Sequence, residues 1–76
     1  MSRRTYIEIY DLIDGLANEA MEEVEAACDR MVEFDTDPGT VAGVKLVGII
    51  KKNRKKYNEM RALLERFEAE VDEPEM

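Results

Sequence analysis

Apolar residues recur every three or four positions along most of the first half of the chain. This spacing predicts an amphipathic helix, because residues three and four apart share one face of an α-helix. The predicted first helix spans about residues 5–34. Its periodic apolar or small positions are Tyr6, Ile9, Ile13, Leu16, Ala20, Val24, Ala27, Met31 and Phe34.

A second series with the same spacing predicts a second helix over about residues 38–71. Asp37 is the expected N-cap of this helix, and Pro38 suits its first position because a proline there loses no hydrogen bond. The periodic positions of this helix are Gly43, Leu46, Ile50, Asn53, Tyr57, Met60, Leu64, Phe67 and Val71.

The segment between the two predicted helices, residues 35–39, contains residues typical of a turn. A connection this short predicts that the helices lie antiparallel as neighbours. The sequence therefore predicts an all-α protein, an antiparallel two-helix hairpin forming a single domain over residues 1–71. Residues 72–76 are predicted to be an acidic, flexible tail.

Two zones, residues 6–16 and 41–50, are apolar over more than one helical face. One hairpin cannot cover both, and uncovered apolar surface usually marks an interface. A chain of 76 residues with one cysteine also lacks the internal disulfides that stabilise many small proteins. We therefore expect a homodimeric four-helix bundle in which an antiparallel two-fold lays one zone against the other. The expected interface residues are Tyr6, Ile9, Tyr10, Ile13, Val44, Val47, Ile49 and Ile50.

The same apolar zones allow an alternative secondary structure. Residues 44–50 are rich in β-branched side chains, and residues 5–10 have the composition of a short strand. A strand followed by two helices, dimerised through the strand, would be a ribbon-helix-helix-like dimer of the kind found in small repressors.

Charge is divided unevenly between the two halves of the chain. Residues 1–38 carry three basic and eleven acidic groups, whereas residues 39–76 carry eight basic and seven acidic groups. Antiparallel pairing about residue 37 places the lysines at the centre of the second helix near acids of the first. We therefore expect a ladder of interhelical ion pairs that selects this pairing, as flanking charges do in coiled coils. The expected acidic partners are Glu19, Glu22, Glu23 and Glu25.

A dense run of positive charge occupies residues 51–56 of the second predicted helix. Five cations within about one and a half turns are enough to contact several phosphates. This basic block is therefore the candidate nucleic-acid contact, as an alternative to its expected role in neutralising the first helix. Its members are Lys51, Lys52, Arg54, Lys55 and Lys56.

Asn53 interrupts the apolar series of the second helix at a core position. A buried asparagine in a helical bundle commonly fixes the register and the oligomeric state. We therefore assign Asn53 a register role.

Candidate chemistry is scarce along the chain. There is no histidine, which is the commonest general base and a common zinc ligand. The acidic residues of the first helix have no matching acidic cluster on the second helix, and Cys28 has no neighbour that would activate its thiol. We expect neither enzymatic activity nor a metal or other cofactor.

The single cysteine suits a reducing compartment, and no apolar run reaches the length of a membrane span. We therefore expect a cytoplasmic protein with no membrane partner. The predicted function is that of a non-enzymatic homodimer that binds another protein, as a small adaptor, a chaperone, or a phage- or plasmid-type regulator or inhibitor. A nucleic acid partner is possible but less favoured, because the net charge is −7.

Overall fold

The protein is described by a computed structural model covering residues 1–71, and it consists of two long helices joined by a tight loop. Helix α1 is Arg3–Glu33 and helix α2 is Val41–Glu70. Together they form a rod with extents of 53 × 18 × 12 Å. The all-α hairpin is confirmed. No strand occurs in residues 1–71, so the ribbon-helix-helix alternative is wrong: residues 5–10 and 44–50 are helical. The expected tail at 72–76 lies outside the described residues.

Helix α1 starts and stops through local backbone and side-chain contacts. The Ser2 side chain caps its N-terminus by accepting a hydrogen bond from the Thr5 backbone N–H at 3.1 Å. At the other end the Phe34 N–H donates to the Arg30 carbonyl at 3.1 Å. Asp35 then takes a positive φ of 45°, a conformation that aspartate tolerates better than most residues. This change of direction ends α1.

Helix α2 begins three residues later than the sequence pattern predicted. Its N-cap is Thr40, whose side-chain oxygen accepts from the Gly43 N–H at 3.1 Å. The Asp37 carboxylate instead accepts from the Gly39 N–H at 2.8 Å, two residues along the chain. Asp37 thus stabilises the turn rather than capping the helix, and the expectation that Pro38 is the first helical residue is wrong.

The position of the N-cap gives a direct prediction for Thr40. Thr40→Ala removes the acceptor for the Gly43 N–H and the hydroxyl that donates to the Asp37 carbonyl at 2.7 Å. We expect the free energy of unfolding to fall by about 1 kcal/mol, measured by urea denaturation. Thr40→Ser keeps the hydroxyl and should stay close to the original value. An equal loss in both variants would contradict the capping role.

The hairpin core is built mainly from small side chains of α1. Ala17 is fully buried and Ala20 is 1% exposed, so the backbones approach closely at the middle of the rod. From α2 the principal buried side chain is Leu64, which is 2% exposed. At the end of the hairpin opposite the turn, which we call the open end, the ring of Tyr6 stacks on that of Phe67. The ring centroids are 4.8 Å apart.

The two helices bury their apolar stripes to different extents. Six residues of α1 are buried, but only Gly43 and Leu64 of α2 are. Most of the α2 stripe remains half-buried. These half-buried positions are Leu46, Ile50, Asn53, Tyr57, Met60 and Phe67. A single hairpin therefore leaves much of the apolar stripe of α2 accessible.

Candidate interaction surfaces

The expected interface residues near the open end of the hairpin divide into two groups. Tyr6 and Ile13 are each 8% exposed, because they pack in the core of the hairpin itself. Ile9 and Tyr10 are half-buried. Contacts from this end to another molecule therefore depend on Ile9, Tyr10 and their more exposed neighbours, rather than on Tyr6 and Ile13.

The expected interface residues near the turn are more accessible. Val44 is 61% exposed and Ile49 is 38% exposed, while Val47 and Ile50 are half-buried. These four side chains lie within the first three turns of α2. They give the turn end of the rod an apolar surface that extends beyond the contact with α1.

Several large apolar side chains outside the expected interface are also exposed. Leu12 is 65% and Leu63 is 42% exposed near the open end, and Phe34 is 71% and Val41 is 75% exposed near the turn. The available signal was that Leu12, Val41 and Leu63 fall outside the periodic series. An apolar residue off the stripe is a candidate for a second interface.

One side of the rod combines exposed apolar residues with exposed charges, and we call it the mixed face. Helical spacing of three and four residues places one row from each helix along this side. The α1 row is Leu12, Leu16, Glu19, Glu23, Ala26 and Arg30, and the α2 row is Lys45, Ile49, Lys52, Lys56, Glu59 and Leu63.

Two shallow grooves show that the turn-end members of both rows lie on the same side of the rod. One groove joins Glu23, Ala26 and Arg30 of α1 to Ile49 of α2. The other, of about 440 Å³, is lined by residues of both helices and the turn. Its lining is Arg30, Phe34, Thr36, Ala42, Lys45, Leu46 and Ile49. The second groove gives the turn end of the mixed face a concave, largely apolar surface.

The basic block does not form the expected ion-pair ladder. Within residues 1–71 the only ion pair between the helices joins Arg61 to Asp14 at 3.4 Å. The ladder to Glu19, Glu22, Glu23 and Glu25 is therefore a wrong prediction. The reason is the rotation of α2 about its own axis. Its apolar stripe faces α1, so the basic block lies on the sides of α2 that do not contact α1. All five cations, Lys51, Lys52, Arg54, Lys55 and Lys56, are exposed.

Asn53 is half-buried, and its side chain is occupied within its own helix. The amide nitrogen donates to the Ile49 carbonyl, one turn earlier, at 2.9 Å. This contact leaves the side-chain oxygen available to a group outside the hairpin. The register role of Asn53 remains a prediction.

The described residues offer little for chemistry. No group of three acidic or cysteine side chains in residues 1–71 is placed to hold a metal ion. Cys28 is exposed. An open groove of about 370 Å³ lies between Tyr6, Tyr10 and Glu68, but it holds no nucleophile with an adjacent base. Within the same residues, neither helix is apolar enough over sufficient length to cross a bilayer.

Comparisons with protein-family models, with curated proteins and with solved structures find no significant match to this chain. Its function must therefore be argued from its own surfaces.

Proposed function

We propose that the protein is a non-enzymatic homodimer that acts by binding another protein, as an adaptor, a chaperone, or a phage- or plasmid-type regulator. The observation that carries this proposal is the exposure of large apolar side chains at both ends of the rod. Val41 and Phe34 are more than 70% exposed and Leu12 is 65% exposed, each on a regular, well-capped scaffold. Exposed apolar surface of this kind is typical of protein interfaces.

The exposed residues divide between two surfaces. Leu12, Ile49 and Leu63 lie on the mixed face, together with charges of both signs. Val41 and Val44, which we call the outward valines, lie in the first turn of α2 and are each more than 60% exposed. We assign the mixed face to self-association and the outward valines to a second protein. One exposed thiol, Cys28, is consistent with work in the reducing cytoplasm.

Substitutions confined to one of the two surfaces test the proposal. Val41→Ser combined with Val44→Ser should leave the sedimentation of the dimer unchanged and weaken partner binding at least tenfold. The partner is first identified by cross-linking to the intact protein in its host, and then purified and titrated against the chain. Val32→Ser is the matched control, because Val32 is 82% exposed but lies on α1. Equal partner binding by the unmodified chain, the double valine variant and Val32→Ser would contradict the assignment.

A second candidate function is nucleic-acid binding by the basic block. The observation that favours it is that the five cations are exposed and form no ion pair within residues 1–71. They are therefore free to contact phosphates. Against it stand the overall net charge of −7 and the acidic surface of α1.

Salt-dependent binding separates the two candidate functions. We expect the protein to retain neither RNA nor DNA at about 50 mM salt, a concentration at which phosphate contacts are strong. Retention that weakens steeply with salt would favour the nucleic-acid function, provided that it is lost in Lys51→Glu combined with Lys55→Glu. Arg66→Glu is the control, since Arg66 lies outside the block and pairs with Glu70 of its own helix at 3.6 Å.

A further inference from the structure

We infer that a second copy of the chain docks on the mixed face with both turns at the same end of the dimer. This inference rests on the proposed self-association and specifies its surface and orientation. The alternative orientation, with the turns at opposite ends, is the one expected from the apolar zones alone. The charges left exposed by the hairpin distinguish the two.

The middle of the mixed face carries acids on one helix and lysines on the other. Glu19 and Glu23 lie on α1, Lys52 and Lys56 lie on α2, and all four are exposed. None of them forms an ion pair within residues 1–71. The hairpin therefore presents two unmatched rows of opposite charge side by side.

The Asp14–Arg61 ion pair fixes which residues lie at the same level along the rod. Because the helices run antiparallel, each step toward the turn on α1 corresponds to one step back along α2. Glu19 is therefore level with Lys56, and Glu23 is level with Lys52.

With both turns at the same end, α1 of one copy lies over α2 of the other. Glu19 then faces Lys56 of the second copy, and Glu23 faces Lys52 of the second copy. The two-fold axis repeats both pairs, so the centre of the interface contains four contacts between opposite charges. Such complementarity fixes orientation and register at an interface.

With the turns at opposite ends, α1 lies over α1 of the second copy, and α2 lies over α2 of the second copy. Glu19 near the middle of α1 then approaches the same residue of the second copy, and Lys56 does the same on α2. Like charges placed opposite each other disfavour this arrangement. The rows of the mixed face therefore select the orientation with the turns together.

Four of the apolar positions of the mixed face agree with the same orientation. Leu12 is level with Leu63, so these two exposed leucines meet across the interface at the open end. Ala26 is level with Ile49, which places a small residue against a larger one at the turn end. Two levels do not contribute to the match: Arg30 is level with Lys45, a like-charged pair, and Leu16 is level with the carboxylate of Glu59.

A charge-swapped variant tests the orientation. It combines Glu19→Lys, Glu23→Lys, Lys52→Glu and Lys56→Glu. With the turns together, it should self-associate with an affinity within about threefold of the unmodified chain. It should not form mixed dimers with the unmodified chain, because every central pair would then join like charges. Free mixing of the two proteins, measured by native mass spectrometry, would overturn the inference.

Two half-swapped variants complete this test. Glu19→Lys with Glu23→Lys makes the centre of the face uniformly basic, and Lys52→Glu with Lys56→Glu makes it uniformly acidic. Each alone should dimerise at least tenfold more weakly, and the two together should recover a mixed dimer. Unchanged self-association of both would show that the mixed face is not the interface. A monomeric unmodified chain would instead overturn the proposed self-association itself.

A spin-label distance measures the orientation without altering the central charges. The label is attached at Glu33→Cys in a Cys28→Ala background, at the exposed last residue of α1. With the turns together the two labels lie at the same level, and we expect a separation below about 30 Å, set by neighbouring helices about 10 Å apart. With the turns apart, the fourteen residues from Glu19 to Glu33 in each copy separate the labels by about 42 Å along the axis. A distance above about 40 Å would overturn the inference.

Discussion

Leu64→Ala is expected to lower the free energy of unfolding by about 3 kcal/mol. Leu64 is 2% exposed and is the largest fully buried side chain in residues 1–71. Its truncation leaves a cavity between the two helices. A chain of this size has a stability on the order of 5 kcal/mol, so the variant should retain only about 2 kcal/mol. Urea denaturation followed by circular dichroism gives the change.

Leu63→Ala is the matched control for this prediction. Leu63 is the preceding residue on the same helix, but it is 42% exposed within a single chain. We expect a loss below about 1 kcal/mol when both variants are compared at a low protein concentration. The concentration must be held fixed, because the apparent stability of a dimer depends on it. An equal fall in the free energy of unfolding in both variants would contradict the observed orientation of α2, in which Leu64 is buried and Leu63 is exposed.

Gly43→Ala is expected to cost about 3 kcal/mol, through overpacking rather than through a cavity. Gly43 is buried where the turn passes over the start of α2. A β-carbon there would overlap the Asp37 carbonyl oxygen and would lie 2.8 Å from the Pro38 Cα. Both are backbone atoms, so the turn itself would have to move. The loss is measured as a fall in the urea midpoint.

Gly48→Ala is the control for Gly43→Ala, with the opposite expected sign. A β-carbon at Gly48 would meet no atom within 4 Å, and the residue lies inside α2. Alanine is favoured over glycine in such a position by about 0.5–1 kcal/mol, because it restricts the unfolded chain. We therefore expect a small gain in stability. A loss comparable to that of Gly43→Ala would show that the strain does not come from the turn.

The helices and their pairing were predictable because they follow from properties that repeat along the chain. Apolar steps of three and four residues, from Tyr6 to Phe34, require a helix to bring those side chains to one face. The short polar segment after Phe34 then leaves room only for a reversal. The residues of the observed Asp14–Arg61 pair fall within one residue of the level expected from a reversal at residue 37.

The start of α2 was not predictable, because several residues compete for the same role. Asp37 and Thr40 are both good helix caps, and a proline follows the first of them. The outcome depends on which backbone N–H groups each side chain reaches in the folded turn. Asp37 bonds to Gly39 and Thr40 bonds to Gly43, so the helix begins after Thr40.

The candidate surfaces were predictable only in part, because they depend on the rotation of each helix about its axis. A change of a few tens of degrees moves a lysine such as Lys52 from the contact with α1 to the outside. Composition indicated that charges would match between the helices, but it carries no information about this angle. The exposure of Leu12 and Leu63 had a signal in the sequence, since both fall outside the periodic series, but their place on the same side of the rod follows only from the packing of the two helices.

The account depends most on the claim that one hairpin leaves an apolar surface that a second copy covers. Sedimentation equilibrium of the full chain at micromolar concentration tests this claim directly. We expect a mass twice the 8.8 kDa of the single chain, with dissociation on dilution. A mass of 8.8 kDa throughout that range, with the helical circular dichroism intact, would contradict it.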